Sequence, residues 1–249
     1  MTTDLGAGVL QRWKPAGAAQ QSLYGMAQAG GGAAELRQLA EVLSDHDVVG
    51  VRLAGRERRI DDILSSDPEV VAAEVAAAIA LDRDAAAIPC ALLGQCSGAW
   101  LALAVAARLE LAERPVGLLV IVSQAPPPSS SSPGTIIDGA ASVREVVDGG
   151  AIPPEVAADS EMMEMILPTL RSDLLLAGGL AAMRPRVISS DILVVYGSDD
   201  VRVDAACLGG WREWTTGGLK IEQIPGGHLP LRDAPAALGA VIKGHATGA

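Results

Sequence analysis

A cysteine stands between two glycines at residues 94–98, which read Gly-Gln-Cys-Ser-Gly. An apolar run precedes this segment and a helical pattern follows it. Glycines that flank a nucleophile in this way are typical of a tight strand-to-helix turn that packs too closely for a Cβ. The register places Cys96, not Ser97, at the centre of the turn. We therefore expect Cys96 to attack an acyl group, while the Ser97 backbone N–H stabilises the oxyanion that forms.

A thiol nucleophile changes the energetics of such an acyl transfer. A helix N-terminus and a neighbouring imidazolium both favour the thiolate, which is the attacking form. An acyl group on Cys96 would be a thioester, close in free energy to a pantetheine thioester, so loading would be nearly thermoneutral and reversible. The plain alternative is that Cys96 is a small buried residue in an inactive turn, as free cysteines often are.

An acid and a base follow the nucleophile in the chain order that such a triad requires. Two carboxylates come directly after the apolar run 192–197, and the spacing favours Asp200 as the acid, since Asp199 could instead cap a helix. His228 follows the run 219–224, a proline and two glycines, and is the predicted base. The remaining histidines are predicted to be solvated surface residues: His46 and His245.

A glycine-rich turn at residues 26–32 is predicted to supply the second oxyanion donor, the backbone N–H of Gln28. The turn could pass for a phosphate-binding loop. However, it lacks the Lys and Ser/Thr of a P-loop and the Gly-x-Gly-x-x-Gly spacing of a dinucleotide site.

Short apolar runs that alternate with helical patterns must position these residues. Nearly continuous apolar runs predict strands buried in a parallel sheet at 22–26, 47–53, 88–93, 116–123, 192–197 and 219–224, the last at an edge. Helices are predicted at 33–43, 68–80, 100–111 and 235–242. The alternation and the nucleophile turn predict an α/β-hydrolase fold, with a mostly parallel central sheet and helices on both faces.

A long insertion interrupts this alternation. Residues 125–134 are rich in Pro and Ser and read as a linker, and helices are predicted beyond them at 155–166 and 168–182. We predict a core over 1–125, a helical lid over 126–188 and a second core part over 189–249. A helical excursion without a gating role is the alternative.

Composition restricts the classes of function. The 249 residues are 49% apolar and 20% charged, which is typical of one globular domain. A net charge of −11 argues against a nucleic-acid partner. Three cysteines without CxxC spacing and three histidines argue against a disulfide framework and a metal site. The absence of Phe predicts an aliphatic acyl pocket. We expect no membrane span and no signal peptide, and therefore a cytoplasmic protein.

The ordered motifs resemble the discrete type II thioesterases of polyketide and nonribosomal peptide assembly lines. The segments that carry the resemblance are 27–31, 53–58, 94–99, 167–173, 197–200, 211–213 and 225–228. In four places this chain departs from the family pattern. Cys96 stands where the family has Ser, Gln95 where it has His, and Leu229 where it has Phe. The first turn also lacks the family's Pro.

The resemblance implies a Cys96–His228–Asp200 triad and an acyl substrate carried on the phosphopantetheine arm of an acyl or peptidyl carrier protein. It implies a monomer with no cofactor of its own. Carrier proteins are typically acidic, so we expect docking through a local basic cluster. That cluster would be Arg56, Arg58 and Arg59, although a structural Gly-Arg turn is an equal alternative.

Three functions are compatible with these residues. The first is hydrolysis of acyl thioesters through an acyl-Cys96 intermediate. The second keeps the acyl-Cys96 step but passes the acyl group to a second carrier thiol, an amine or a hydroxyl, as in an acyltransferase or a cyclising release enzyme. The third is a noncatalytic interaction protein built on an inactive hydrolase.

Overall fold

The computed structural model describes residues 3–5, 8–14, 19–86, 88–128, 143, 146, 152 and 154–246. An eight-stranded sheet forms its centre, with strand order β1-β2-β4-β3-β5-β6-β7-β8. The strands are β1 (Thr3–Leu5), β2 (Leu10–Lys14), β3 (Gln21–Met26), β4 (His46–Val51), β5 (Cys90–Gln95), β6 (Leu118–Val122), β7 (Asp191–Gly197) and β8 (Leu219–Ile224). From β4 to β8 all neighbours are parallel, whereas β1 and β2 pair in antiparallel fashion.

All six predicted strands are present, and β8 lies at the predicted edge. The sequence analysis missed β1 and β2. Strand β2 reads Leu-Gln-Arg-Trp-Lys and has a register shift between Arg12 and Lys14. It therefore lacks the continuous apolar run that marks a doubly buried parallel strand.

Helices cover both faces of the sheet, as predicted. They are α1 (Arg37–Val42), α2 (Pro68–Ala86), α3 (Ser97–Leu111), α4 (Pro154–Ala157), α5 (Ser160–Ala182), α6 (Pro230–Asp233) and α7 (Pro235–Ala246), with 3-10 helices at Ala33–Leu36, Glu57–Arg59 and Ala205–Trp214. Side chains from α2, α3 and α5 form one core cluster, and side chains from α1 and α7 form another. Aliphatic residues dominate both clusters, and Trp211 is the largest fully buried side chain.

Helix α5 corrects the prediction of two helices that meet at Pro168. The helix runs through Pro168 without ending, and it begins where the Asp159 side chain accepts hydrogen bonds from the N–H groups of Glu161 and Met162. Proline removes one helical hydrogen bond. Burial of Leu170, Leu174 and their neighbours on the following turns holds the helix together beyond that point. Residues 129–142 of the predicted lid lie outside the described residues, and its gating role stays a prediction.

Helix α5 also has the length and composition of a membrane span, with a mean hydropathy of 1.3 in its most apolar window. It is the one helix of the described residues that meets both criteria. Packing accounts for part of this composition, because Leu176 and Leu180 belong to a core cluster that also holds α2 and α3 side chains. A core helix of a globular fold is apolar for the same reason.

The structure corrects one histidine prediction. His46, expected on the surface, is buried at 6% exposure because it is the first residue of β4, inside the sheet. Its Nδ1 atom lies 3.0 Å from the Asp45 carboxylate.

Candidate active site

The turn between β5 and α3 holds Cys96 in a strained conformation. Cys96 has φ 52° and ψ −129°, in the left-handed half of φ space that side chains rarely adopt. A Cβ on Gly94 would lie 2.3 Å from the Gly98 carbonyl oxygen, and one on Gly98 would lie 2.4 Å from the Met26 carbonyl oxygen. The two glycines are therefore required by close packing, and they hold the Cys96 side chain at the N-terminus of α3.

The predicted acid and base meet at the same edge of the sheet, on the loops after β7 and β8. His228 Nδ1 lies 2.9 and 3.0 Å from the two carboxylate oxygens of Asp200, whose side chain is wholly buried. His228 Nε2 is buried and has no hydrogen-bond partner among the described residues. The imidazole is nevertheless close enough to Cys96 for the two side chains to shift each other's pKa.

The electrostatics of these three groups favour a thiolate–imidazolium pair. Burial disfavours ionisation of Cys96, but His228, the positive charge of Arg202 and the Ser97 N–H outweigh it, so the pKa of Cys96 is lowered. Burial also disfavours the charged form of His228, yet Asp200 and Cys96 raise the pKa of His228 to about 9. The pKa of Asp200 is lowered despite its burial, chiefly by His228.

A cavity of about 200 Å³ is lined by Cys96 and His228, and we call it the Cys96 cavity. Gln28 and Ser97, the predicted sources of the oxyanion N–H groups, both line it. Its apolar wall is mostly aliphatic, as predicted, with one aromatic side chain: Val146, Leu174, Ala177, Val203, Leu229 and Trp100.

Hydrogen bonds beneath the cavity connect the parts of the site that sequence reasoning treated separately. Gln95 is fully buried; its Nε2 donates to Gln28 Oε1 at 2.8 Å, and its Oε1 accepts the Leu231 N–H at 2.9 Å. The Ala29 N–H donates to Ser97 Oγ at 2.8 Å. These hydrogen bonds therefore connect the Cys96 turn (residues 94–98), the glycine-rich turn and the segment that follows His228.

Arg202 is a further residue that the sequence analysis missed. Its backbone N–H donates to Asp200 Oδ1 at 3.0 Å, and its exposed side chain lines the Cys96 cavity. In the sequence, only its position two residues after the predicted acid could have indicated that Arg202 belongs to the site. Among the described residues, no group of three or more His, Cys, Asp or Glu side chains could hold a metal ion.

Two of the three arginines predicted to dock a carrier protein form ion pairs inside the protein, and carrier docking through this cluster stays a prediction. Arg56 is buried and forms two hydrogen bonds with Asp173 of α5, at 2.6 and 2.8 Å, and a third with the Gly31 carbonyl at 2.6 Å. Arg59 is also buried and pairs with Asp62 and Glu74 at 2.6 and 2.7 Å. These contacts correspond to the structural alternative. Arg58 is the exposed member of the cluster.

Comparisons with known proteins identify the family of the chain. The sequence matches the thioesterase domain family over residues 21–244. It is 31% identical over 227 residues to the AMB antimetabolite synthetase AmbE of Pseudomonas aeruginosa, an alignment that covers 89% of this chain but only 10% of AmbE. It is 30% identical over 199 residues to the human medium-chain S-acyl fatty acid synthase thioesterase, covering 76% of this chain and 73% of that protein.

The solved structure of the type II thioesterase BorB, from the borrelidin biosynthetic cluster, has a TM-score of 0.79 to this chain at 25% identity. The superposition covers 98% of this chain and 99% of BorB. The predicted α/β-hydrolase architecture is thereby confirmed. The chain belongs to the thioesterase domain family, and its solved structural neighbours include type II thioesterases such as those of the borrelidin cluster and of the yersiniabactin NRPS/PKS pathway.

Proposed function

We propose that this thioesterase hydrolyses acyl thioesters on carrier proteins through a covalent acyl-Cys96 intermediate. The observation that carries the proposal is the arrangement of Cys96, His228 and Asp200. Cys96 lies on a strained turn and its thiol has a lowered pKa because of the neighbouring His228 imidazole. The buried Asp200 carboxylate in turn forms a hydrogen bond with that imidazole. The noncatalytic alternative leaves this arrangement without an explanation.

In the acylation step, the Cys96 thiolate attacks the thioester carbonyl, and the backbone N–H groups of Ser97 and Gln28 stabilise the oxyanion. Collapse of the tetrahedral intermediate breaks the bond to the pantetheine sulfur. That sulfur takes the proton of the His228 imidazolium and leaves as a thiol, so that acyl-Cys96 and a neutral His228 remain. Asp200 orients the imidazole throughout.

In the deacylation step, the neutral His228 takes a proton from water, whose oxygen attacks the acyl-Cys96 carbonyl. Collapse of the second tetrahedral intermediate releases the carboxylic acid, and the thiolate–imidazolium pair forms again. No cofactor of the enzyme itself is needed, because the substrate brings its own phosphopantetheine from the acyl or peptidyl carrier protein. A monomeric state and a cytoplasmic location belong to the same proposal.

Acyl transfer is a second candidate function, and the identity of the nucleophile favours it. An acyl group on Cys96 is still a thioester, so its transfer to the thiol of a second carrier is nearly thermoneutral. An amine or hydroxyl of the substrate could accept the same group in a cyclising release. Both functions share the acylation step and differ only in the acceptor.

Intact-protein mass spectrometry distinguishes these functions. The enzyme is mixed with acyl-loaded carrier protein, first alone and then with a second carrier, an amine or a hydroxyl acceptor. We expect an acyl adduct that decays to free acid in water and is absent from Cys96→Ala but present in Cys207→Ala. An adduct that persists until an acceptor arrives would establish transfer instead. No adduct and no turnover would contradict both functions.

A further inference from the structure

A second cavity lies beside the Cys96 cavity, between the glycine-rich turn and helix α5. Its volume is about 420 Å³, and we call it the α5 cavity. Gln28 and Ala29 line both cavities. A single apolar cluster also contributes residues to both cavities. Val146 and Leu174 of this cluster line the Cys96 cavity, and Ile152 and Leu170 line the α5 cavity. The two cavities therefore adjoin at the glycine-rich turn, on the side of Cys96 where an attached acyl chain would extend.

The wall of the α5 cavity suits a hydrocarbon chain. Its apolar residues come from α5, from the segments before it and from the loop after β4: Ile60, Ile152, Val156, Met165, Ile166 and Leu170. Pockets for small ligands typically have volumes of about 300–1,000 Å³. The α5 cavity is within this range, whereas the Cys96 cavity alone is smaller.

The charged side chains that line the α5 cavity differ in whether they form an ion pair with a residue of opposite charge. Arg56 is neutralised by Asp173 at 2.6 Å, and the Glu57 carboxylate pairs with Arg52 at 2.7 Å. Glu35 makes no ion pair with a described residue. Burial raises the pKa of Glu35, against the opposing effects of Arg232 and of a hydrogen bond with the Gln28 side chain. Arg232 itself pairs with Asp233 at 2.9 Å.

We propose that the α5 cavity binds the distal part of the acyl chain and that Glu35 binds a protonated amine on that chain. This inference rests on the proposed function, since the chain is attached at Cys96. A partly desolvated carboxylate that forms no ion pair with a described residue gains a charge-assisted hydrogen bond from an ammonium group. The substrate class is therefore amine-bearing acyl thioesters.

The first test compares two pantetheine thioesters of equal length, ω-aminooctanoyl and nonanoyl, which end in an ammonium and a methyl group. Release of pantetheine gives kcat/KM for each, and the ratio of the two values cancels any general effect on catalysis. We expect Glu35→Gln to lower the amino-to-methyl ratio by about tenfold. The matched control is Glu41→Gln, an exposed carboxylate on α1, which should leave the ratio unchanged. An equal ratio in wild type and Glu35→Gln overturns the proposal.

A second test asks whether the α5 cavity holds the acyl chain or the pantetheine arm. Ile166→Trp fills the cavity and should lower kcat/KM for nonanoyl-pantetheine but not for acetyl-pantetheine. The control is Leu175→Trp on the same helix, at a position that is 59% exposed. Equal losses for both thioesters would place the pantetheine arm in the cavity and overturn the proposal. If wild type releases no pantetheine from any thioester, the proposed function itself fails, an outcome distinct from turnover without a Glu35-dependent ratio.

Discussion

At the scale of single residues, the three cysteines occupy very different electrostatic environments. His228 and Arg202 lower the pKa of Cys96, whereas burial raises the pKa of Cys90 to about 12 and raises that of Cys207 as well. Reactivity follows the thiolate fraction, so Cys96 should be the reactive thiol of this protein.

Alkylation by iodoacetamide tests this difference. We expect Cys96 to be alkylated before the other two cysteines at pH 7. Its alkylation rate should stay high well below pH 8.5, the ordinary pKa of a cysteine. The imidazolium of His228 stabilises the thiolate, so His228→Ala should raise the pKa of Cys96 and shift the rate profile to higher pH. Peptide mapping by mass spectrometry measures both. Identical profiles in wild type and His228→Ala would contradict the ion pair.

Gln95 is a positioning residue, because it holds the glycine-rich turn and the Leu231 segment in place without lining the Cys96 cavity. Gln95→Ala leaves the side-chain Oε1 of Gln28 and the Leu231 N–H without their partner, at a cost of about 1–3 kcal/mol in stability. We expect kcat to fall about tenfold with a smaller change in KM, since misplacing an oxyanion donor acts mainly on the transition state.

Two further variants separate positioning by Gln95 from a general loss of folding. Gln95→His keeps a ring N–H donor and should retain more activity than Gln95→Ala. The double variant Gln28→Ala/Gln95→Ala should lose less than the sum of the two single losses, because the side chains share one bond. Thermal unfolding identifies the folded fraction. An unchanged kcat in folded Gln95→Ala would refute the positioning role.

At the scale of elements, one buried ion pair fastens α5 to the core. Asp173 receives hydrogen bonds from Arg56 and, at 2.7 Å, from the Gly30 N–H of the glycine-rich turn. Thr169 adds a hydrogen bond from its hydroxyl to the Gly55 carbonyl oxygen at 3.1 Å. The helix that covers both cavities is thus connected to the turn that carries the proposed oxyanion donor.

Asp173→Ala should destabilise the protein strongly, because it leaves the buried Arg56 guanidinium uncompensated. We expect a loss of about 3 kcal/mol in the free energy of unfolding, measured with urea. Glu41→Ala breaks an exposed pair with Arg37 and should cost no more than about 0.5 kcal/mol. Similar losses in both variants would show that the Arg56–Asp173 pair contributes little to fixing α5.

At the scale of the whole molecule, the net charge of −11 should affect the encounter with the proposed carrier-protein partner. Carrier proteins are typically acidic, so the two molecules should repel each other at long range. The arginine cluster does little to offset this, because Arg56 and Arg59 are engaged in internal ion pairs.

The rate with carrier-bound substrate should therefore rise with salt. Ionic strength of about 0.1 M reduces the Debye length to about 10 Å and screens the repulsion, so KM for an acyl carrier should fall between low salt and that value. The same acyl group on free pantetheine, which has no phosphate, should show little salt dependence. A KM that rises with salt for the carrier alone would instead indicate docking through a local basic surface.

The sequence by itself determined the strands buried in the parallel sheet, the tight turn at residues 94–98 and the chain order of Cys96, Asp200 and His228. These features depend on local chemistry: apolar runs define the strands, close packing requires Gly94 and Gly98, and the loops after β7 and β8 must carry Asp200 and His228. The edge strands β1 and β2 and the passage of α5 through Pro168 were missed, because packing against distant residues stabilises both.

Only the tertiary structure decided which polar residues serve the site and which serve the fold. Arg56 and Arg59 are conspicuous in sequence, yet Asp173, 117 residues away, and Glu74 bind them internally. Glu35 is inconspicuous in sequence, and Gln95 stands out there only as a departure from the family pattern, yet both lie where segments far apart in the chain converge. The energy of a buried polar group depends on its partners and its solvation, and those partners come from distant parts of the chain.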